Sequence, residues 1–328
     1  MIDWRVYNGH VLELLDVLPS ESVNCIVTSP PYWGLRDYGH EGQLGLEKTP
    51  GEYVEKMTEV FREARRVLRN EGTLWLNLGD SYAGSWGAQS REHAGKHSPN
   101  VSALHANQVK AAQIRESGTG SLARTPGNKN KDLVGIPWKV AFALQADGWY
   151  LRQDIIWHKP NPMPESVKDR CTKAHEYLFL LSKSEKYYFN WREMQEPAVE
   201  VSIKKFTDNG SDKQRGHWRR HAGFNGRYAE KLAAEGVPTT RNRRDVWTVA
   251  TRPYKEAHFA TFPPALIEPC IRAGAPVLGT VLDPFAGSGT TLEVAYRWAR
   301  HSIGLELNSD YISMIDRRMQ KAVSESLL

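Results

Sequence analysis

Two short stretches carry residue types suited to chemistry. Ser29-Pro30-Pro31-Tyr32 offers a hydroxyl, a carbonyl acceptor on Pro30 and the flat face of Tyr32. Its two prolines hold the backbone stiff. Such a set suits a planar ring bearing an exocyclic amine; standing alone, it reads first as a rigid loop. The second stretch, Asp283-Pro284-Phe285-Ala286-Gly287-Ser288-Gly289-Thr290-Thr291, is a glycine-rich turn. Gly287 and Gly289 lack side chains, so a ligand can lie against the backbone. No Lys-Ser or Lys-Thr follows, so it is not a phosphate loop, and Leu292 stands where a dinucleotide fingerprint has its third glycine. An uncharged or cationic ligand with an adenosine fits better than a polyphosphate. Glu306 follows 17 residues beyond Gly289. An acid at the end of the next strand can accept both hydroxyls of a ribose; the plainer alternative is an ordinary strand-helix turn and a surface Glu.

The elements around these stretches read as α/β. Residues 23–28 form an apolar run that ends abruptly at Pro30-Pro31, which a central strand cannot include. Helical spacing follows over 52–69, a break at Glu71-Gly72, and a buried strand over 73–78. Strand, helix, strand implies a parallel unit. The Ser29–Tyr32 turn then lies at the C-terminal edge of a parallel sheet, where such sheets bind ligands. Further on, a helix is expected over 136–147, with Pro137 in its first turn and Gly148 at its end. A strand is expected over 151–157. Residues 175–181 and 187–189 read as a strand pair joined by a turn at Ser184-Glu185. In the last quarter, a strand over 276–282 leads into the glycine turn and a helix over 292–300. A strand over 302–306 and a final helix capped by Asp310 complete the chain.

Two segments break this pattern. Residues 83–135 are rich in Gly, Ser, Asn, Ala and His, with seven Lys/Arg against three acids. They bury too little to offset their ordering entropy and read as a mobile insertion. This is either a solvated linker or a loop that orders on a polyanion. Residues 201–244 hold eleven Lys/Arg against four Asp/Glu, a surplus larger than the net +5 of the whole chain. Phe206, Trp218, Phe224 and Tyr228 are interleaved with the basic residues. That is the footprint of a nucleic-acid surface, with a solvated basic face as the alternative.

Composition bounds the rest. The 328 residues are 40% apolar and 25% charged, the mix of a globular protein. Mean hydropathy is −0.54, and no run of 18 apolar residues exists, so no membrane-spanning helix is expected. The N-terminal residues show no secretory pattern. Cys25, Cys171 and Cys270 are far apart and form no CxxC. Neither a disulfide framework nor a metal site is expected, and a cytoplasmic setting follows.

Taken together, these motifs resemble the S-adenosylmethionine-dependent amino-methyltransferases of DNA. Their hallmarks are a D-x-F-x-G-x-G cofactor loop, here 283–289, and a [DNS]-P-P-[YFW] catalytic loop, here 29–32. The catalytic loop comes first and the basic segment lies between the two, which is the permuted β class. The resemblance extends over residues 154–164, 175–183 and 258–264. It implies a doubly wound, mostly parallel Rossmann-like sheet with an antiparallel hairpin and an inserted basic target-recognition region. The methyltransferase domain would comprise 1–82 (catalytic-loop half), 136–200 and 245–328 (cofactor-binding half). The insertion at 83–135 and the recognition region at 201–244 would interrupt it.

The resemblance also assigns roles. Ser29, Pro30, Pro31 and Tyr32 would hold the target base. Phe285, Gly287 and Gly289 would line S-adenosylmethionine, with Thr290 beside it. Asp283 and Phe262 would lie near its methionine end, and Glu306 would take the ribose hydroxyls. Family members usually carry Gly-Asp near the cofactor's adenine. Here the pair is Gly9-His10, whose imidazole can donate or accept a hydrogen bond. DNA contacts would come from Lys204, Lys205, Arg215, Arg219, Arg220, Arg227, Arg241, Arg243 and Arg244. The implied partners are double-stranded DNA and a cognate restriction endonuclease, for a monomer or homodimer.

Ser before Pro-Pro is mostly found in cytosine-N4 enzymes, and Asp or Asn in adenine-N6 enzymes, so cytosine N4 is favoured and adenine N6 is the alternative. The base would leave the duplex to reach the site. Pro269-Cys270 would be the nucleophile of a cytosine-C5 enzyme, but it lies in a helical stretch, so Cys270 is read as structural. Two other readings compete: an inactive DNA-binding protein on this fold, and a methyltransferase acting on RNA or a protein glutamine.

Overall fold

The computed structural model describes residues 2–35, 39–83, 128–198, 239–251 and 262–326. Its chain divides into two compact units, 1–190 with 245–328, and 191–244.

The first unit is built on strand β2 (Val23–Thr28), helix α2 (Pro50–Val67) and strand β3 (Leu68–Leu78). Pro50 opens α2, and the Thr49 hydroxyl caps it by accepting from the Glu52 amide at 3.1 Å. Its buried residues, Tyr53, Met57, Val60, Phe61, Ala64 and Val67, recur at helical spacing. Each large one contributes about 1.5–3 kcal/mol by leaving water. The second strand begins at Leu68, which is fully buried, and not at Thr73 as the break at Glu71-Gly72 implied. The last seven residues of β3 are all buried, the pattern of a strand in a sheet covered on both faces.

Eight strands form the main sheet. Besides β2 and β3 these are β1 (Trp4–Asn8), β4 (Tyr150–His158), β5 (His175–Ser182), β8 (Val246–Thr248), β9 (Thr280–Asp283) and β10 (His301–Glu306). Their order is β1-β10-β9-β2-β3-β5-β4-β8. All neighbours run parallel except β5, which is antiparallel to both β3 and β4. The remaining helices are α1 (Val11–Asp16), α3 (Ile136–Ala146), α4 (Pro264–Gly274), α5 (Thr290–Arg297) and α6 (Ser309–Ser326). This is the mostly parallel α/β architecture expected.

Three local expectations are corrected. Residues 187–189 are not a strand, because both edges of β5 are already occupied by β3 and β4. The antiparallel pair is instead β4 and β5, and Tyr188 donates its amide to the Glu71 carbonyl at 2.8 Å. The strand before the glycine turn begins at Thr280, since 276–279 form a turn closed by Gly279 N–H to the Pro276 carbonyl. Asp310 lies inside the first turn of α6 and does not cap it. The Asn308 side chain accepts from the Asp310 amide at 2.9 Å.

Cys25 and Cys270 are buried, and burial pushes the Cys25 thiol up to about 12. Cys270 sits in α4 with its thiol directed to the Leu266 carbonyl, a structural setting. In the second unit, β6 (Gln195–Pro197) pairs antiparallel with β7 (Thr240–Asn242). Arg241 and Arg244 both pair with Glu196, at 2.8 and 3.3 Å, and Arg243 is half-buried. Lys204, Lys205, Arg215, Arg219, Arg220 and Arg227 lie outside the described residues, as does most of 83–135. Among the described residues, no helix is long and apolar enough to cross a membrane.

Candidate active site

Strands β2 and β9 are parallel neighbours, so the loops that follow them leave the sheet at the same edge. One buried contact locks the two loop bases together, although 255 residues separate them in the chain. The Thr28 hydroxyl donates to Asp283 at 2.6 Å. Asp283 also accepts from the Thr291 hydroxyl at 2.6 Å and from the Phe285 amide at 3.0 Å. At 1% exposure this carboxylate is buried among these three donors. Burial raises its pKa to about 6 against the pull of these hydrogen bonds. Asp283 therefore shapes the turn.

Past Asp283, Gly287 and Gly289 do different work. Both have positive φ, 52° and 80°. A Cβ on Gly287 would meet nothing nearer than the Phe285 carbonyl at 3.9 Å, so its backbone stands open to a ligand. A Cβ on Gly289 would instead lie 3.0 Å from Ile315 of α6. Gly289 is thus required by helix packing. Thr290 begins α5 and is buried. Glu306 ends β10, with one carboxylate oxygen accepting from the Gly287 amide at 2.7 Å and the other from the Asn308 amide at 2.9 Å. Each oxygen keeps a lone pair, which is what a vicinal diol needs. Burial raises its pKa to about 7. The open backbone at Gly287 and the acceptor pair on Glu306 fit an adenosine-bearing cofactor.

The neighbouring elements complete this half. Phe285 packs against the main core. His10 follows β1, beside β10, and precedes the first turn of α1 without a side-chain cap bond. Phe262 is half-buried just before α4. Two contributors were not foreseen. Asn8 donates to the carbonyls of Glu306 and Leu307 at 2.9 and 3.0 Å, fixing that turn. Arg318 of α6 ion-pairs with Glu293 and donates to the Ser288 carbonyl, the Ser288 hydroxyl and the Thr290 hydroxyl at 3.0–3.1 Å. A single guanidinium fork thus holds the glycine turn from α6.

In the loop after β2, the Tyr53 hydroxyl donates to the Pro31 carbonyl at 2.9 Å. Among the described residues the Pro30 carbonyl accepts no hydrogen bond. The Ser29 hydroxyl donates to the Tyr32 oxygen at 3.3 Å, leaving its lone pairs available to accept. Tyr32 donates to Glu176 at 2.7 Å and lies 3.1 Å from the Asn77 side-chain oxygen. Burial and the Glu176 charge hold its phenol well above the usual range, so it stays protonated. Ser29, Pro30, Pro31 and Tyr32 thus form the loop that follows β2. Asn77 and Glu176 lie in strands whose apolar runs gave them no separate signal.

A family model described as DNA methylase matches residues 23–317. This chain belongs to the N6/N4 DNA methylase family. The methylase is 44% identical over 316 residues to the Type II methyltransferase M.Cfr9I of Citrobacter freundii, covering 96% of this chain and 87% of that one. It is 42% identical to M.SmaI of Serratia marcescens, covering 96% and 90%. Its fold is that of the PvuII DNA methyltransferase, a cytosine-N4-specific enzyme (TM-score 0.60, 18% identity, 98% and 90% covered). It is also that of a Thermus thermophilus protein described as a putative DNA modification methylase and crystallised with S-adenosyl-L-methionine (TM-score 0.56, 22% identity, 97% and 95% covered). The methylase is an S-adenosylmethionine-dependent DNA amino-methyltransferase, as the resemblance implied.

Proposed function

We propose that this methylase transfers the methyl group to N4 of a cytosine flipped out of a specific duplex site. The observation that carries the base assignment is Ser29: a hydroxyl stands before Pro-Pro at the sheet edge, 3.3 Å from the Tyr32 oxygen. The relatives' Type II character supports modification of a defined sequence and a cognate endonuclease.

An exocyclic amine is a poor nucleophile because its lone pair is delocalised into the ring. Ser29 and the Pro30 carbonyl accept its two N–H bonds, which favours a tetrahedral nitrogen with its lone pair aimed away from the ring. Tyr32 stacks on the base. Glu306 would hold the cofactor's ribose, with the Gly287 backbone, Phe262 and His10 as its other neighbours. The cofactor supplies an electrophilic methyl on a sulfonium. The Thr28–Asp283 bond fixes the bases of the two loops relative to one another, which would hold a bound base and cofactor in a set geometry. The amine would attack the methyl directly, with the neutral thioether S-adenosylhomocysteine as the leaving group and the amine's surplus proton lost to solvent, so no covalent enzyme intermediate is needed.

Sequencing that resolves modified bases in DNA from cells expressing the protein tests this. N4-methylcytosine at one recurring sequence is expected. N6-methyladenine in its place would overturn the base assignment and leave the amine chemistry standing.

We assign DNA contact to the basic residues of 201–244. Replacing Arg219 and Arg220 with alanine should weaken binding across all sequences. The slope of log K against log salt should become shallower by about 0.9 for each phosphate charge no longer neutralised. An unchanged slope would mean that these two arginines do not touch phosphate.

A further inference from the structure

Glu176 lies in β5 opposite Trp157 of β4, at the end of the strand pair nearest the catalytic loop. One of its carboxylate oxygens is ion-paired with Lys159. The other accepts from the Tyr32 hydroxyl at 2.7 Å and from the Asn77 amide at 3.3 Å. Lys159 and Glu176 are only 19% and 16% exposed, and the Lys159 ammonium also sits 4.3 Å from the centre of the Trp157 ring. Placing such a pair mostly out of water costs several kcal/mol per ion before the attraction is counted, and an apolar pair often stabilises a fold as well. Stability is therefore a weak account of these charges. Their position supplies a better one.

The Tyr32 ring is constrained on a second side. A Cβ on Gly79, just beyond β3, would lie 2.5 Å from Cε2 and 2.9 Å from Cδ2 of Tyr32. The ring edge thus rests on bare backbone while its hydroxyl is tied to Glu176. A tyrosine held at both edge and hydroxyl loses little further freedom when a base stacks on it.

We propose that Glu176, charge-balanced by Lys159, is a positioning residue that fixes the Tyr32 ring as a rigid platform for the target base. This rests on the proposed role of Tyr32 in holding that base. Glu176 touches neither base nor cofactor and acts through the phenol hydroxyl.

The test is a double-mutant cycle of Tyr32→Phe and Glu176→Ala. It is read as kcat and KM for duplex DNA and as S-adenosylmethionine affinity. Each single variant should lower kcat about tenfold, the scale of one hydrogen bond to a charged group. The double variant should be no slower than the slower single, and cofactor affinity should stay within about twofold throughout. Glu176→Gln, which keeps an acceptor for Tyr32, should recover most of the rate. Effects that multiply in the double variant would overturn the proposal, as would a Glu176→Ala enzyme with parental kcat. If Glu176→Ala does not fold, Glu176→Asp withdraws the carboxylate by one methylene and the same cycle is read. A parent protein that methylates no base amine would instead sink the proposed function, which separates the two failures.

Discussion

Replacing Ser29 with alanine is expected to slow methyl transfer about 100-fold or more, the scale of losing one oriented hydrogen-bonding group at a reacting centre. S-adenosylmethionine affinity should stay within about twofold of the parent. The split follows from the architecture. Ser29 stands in the loop after β2, while the open Gly287 backbone lies in the turn after β9 and the Glu306 acceptors end β10. The two halves meet at their bases, through the β2–β9 pairing and the Thr28–Asp283 bond, which the substitution leaves intact. Single-turnover kinetics with calorimetry read both quantities. Normal turnover would remove Ser29 from the mechanism, and a matching loss of cofactor affinity would mean that the loop is mainly structural.

Glu306 is expected to show the opposite split. Glu306→Ala removes both ribose acceptors and leaves the Gly287 and Asn308 amides without their partners. Hydrogen bonds to a charged group are worth about 1.5–3 kcal/mol, so the dissociation constant should rise about tenfold to about 100-fold. pH gives a second reading. Burial raises the Glu306 carboxyl to about 7, and the deprotonated form is the one that accepts two hydroxyls. As pH falls through about 7 that form is lost. The parent protein should therefore bind S-adenosylmethionine more weakly by up to about tenfold per pH unit below 7, with a plateau above it. Glu306→Ala should flatten this dependence. A dependence that survives the substitution would assign the titration elsewhere.

Much of the frame was legible in the sequence because local rules acted without competition. Pro30-Pro31 ended β2 where a ladder donor was needed, and Thr49-Pro50 with helical spacing set α2. The 283–289 turn was visible from its glycines, but its internal division of labour was not. Gly289 answers to Ile315, and Asp283 answers to Thr28 and Thr291, contacts that depend on which strands become neighbours. The strand expected at 187–189 failed for the same reason: alternation shows that a segment can pair, not that an edge is vacant. Glu176, Asn77 and Lys159 stayed hidden because they sit within or beside buried strands, where a polar residue reads as an interruption. Arg318 was hidden on a helix whose other face packs the core.

The two loops at one sheet edge are proposed to form the site that methylates a base amine in DNA. The most direct measurement is mass spectrometry of nucleosides from duplex DNA carrying the recognition sequence, incubated with the purified protein and methyl-labelled S-adenosylmethionine. The label should appear in N4-methyldeoxycytidine and be nearly absent when Ser29→Ala replaces the parent. Label in 5-methyldeoxycytidine, or in no nucleoside at all, would contradict the account.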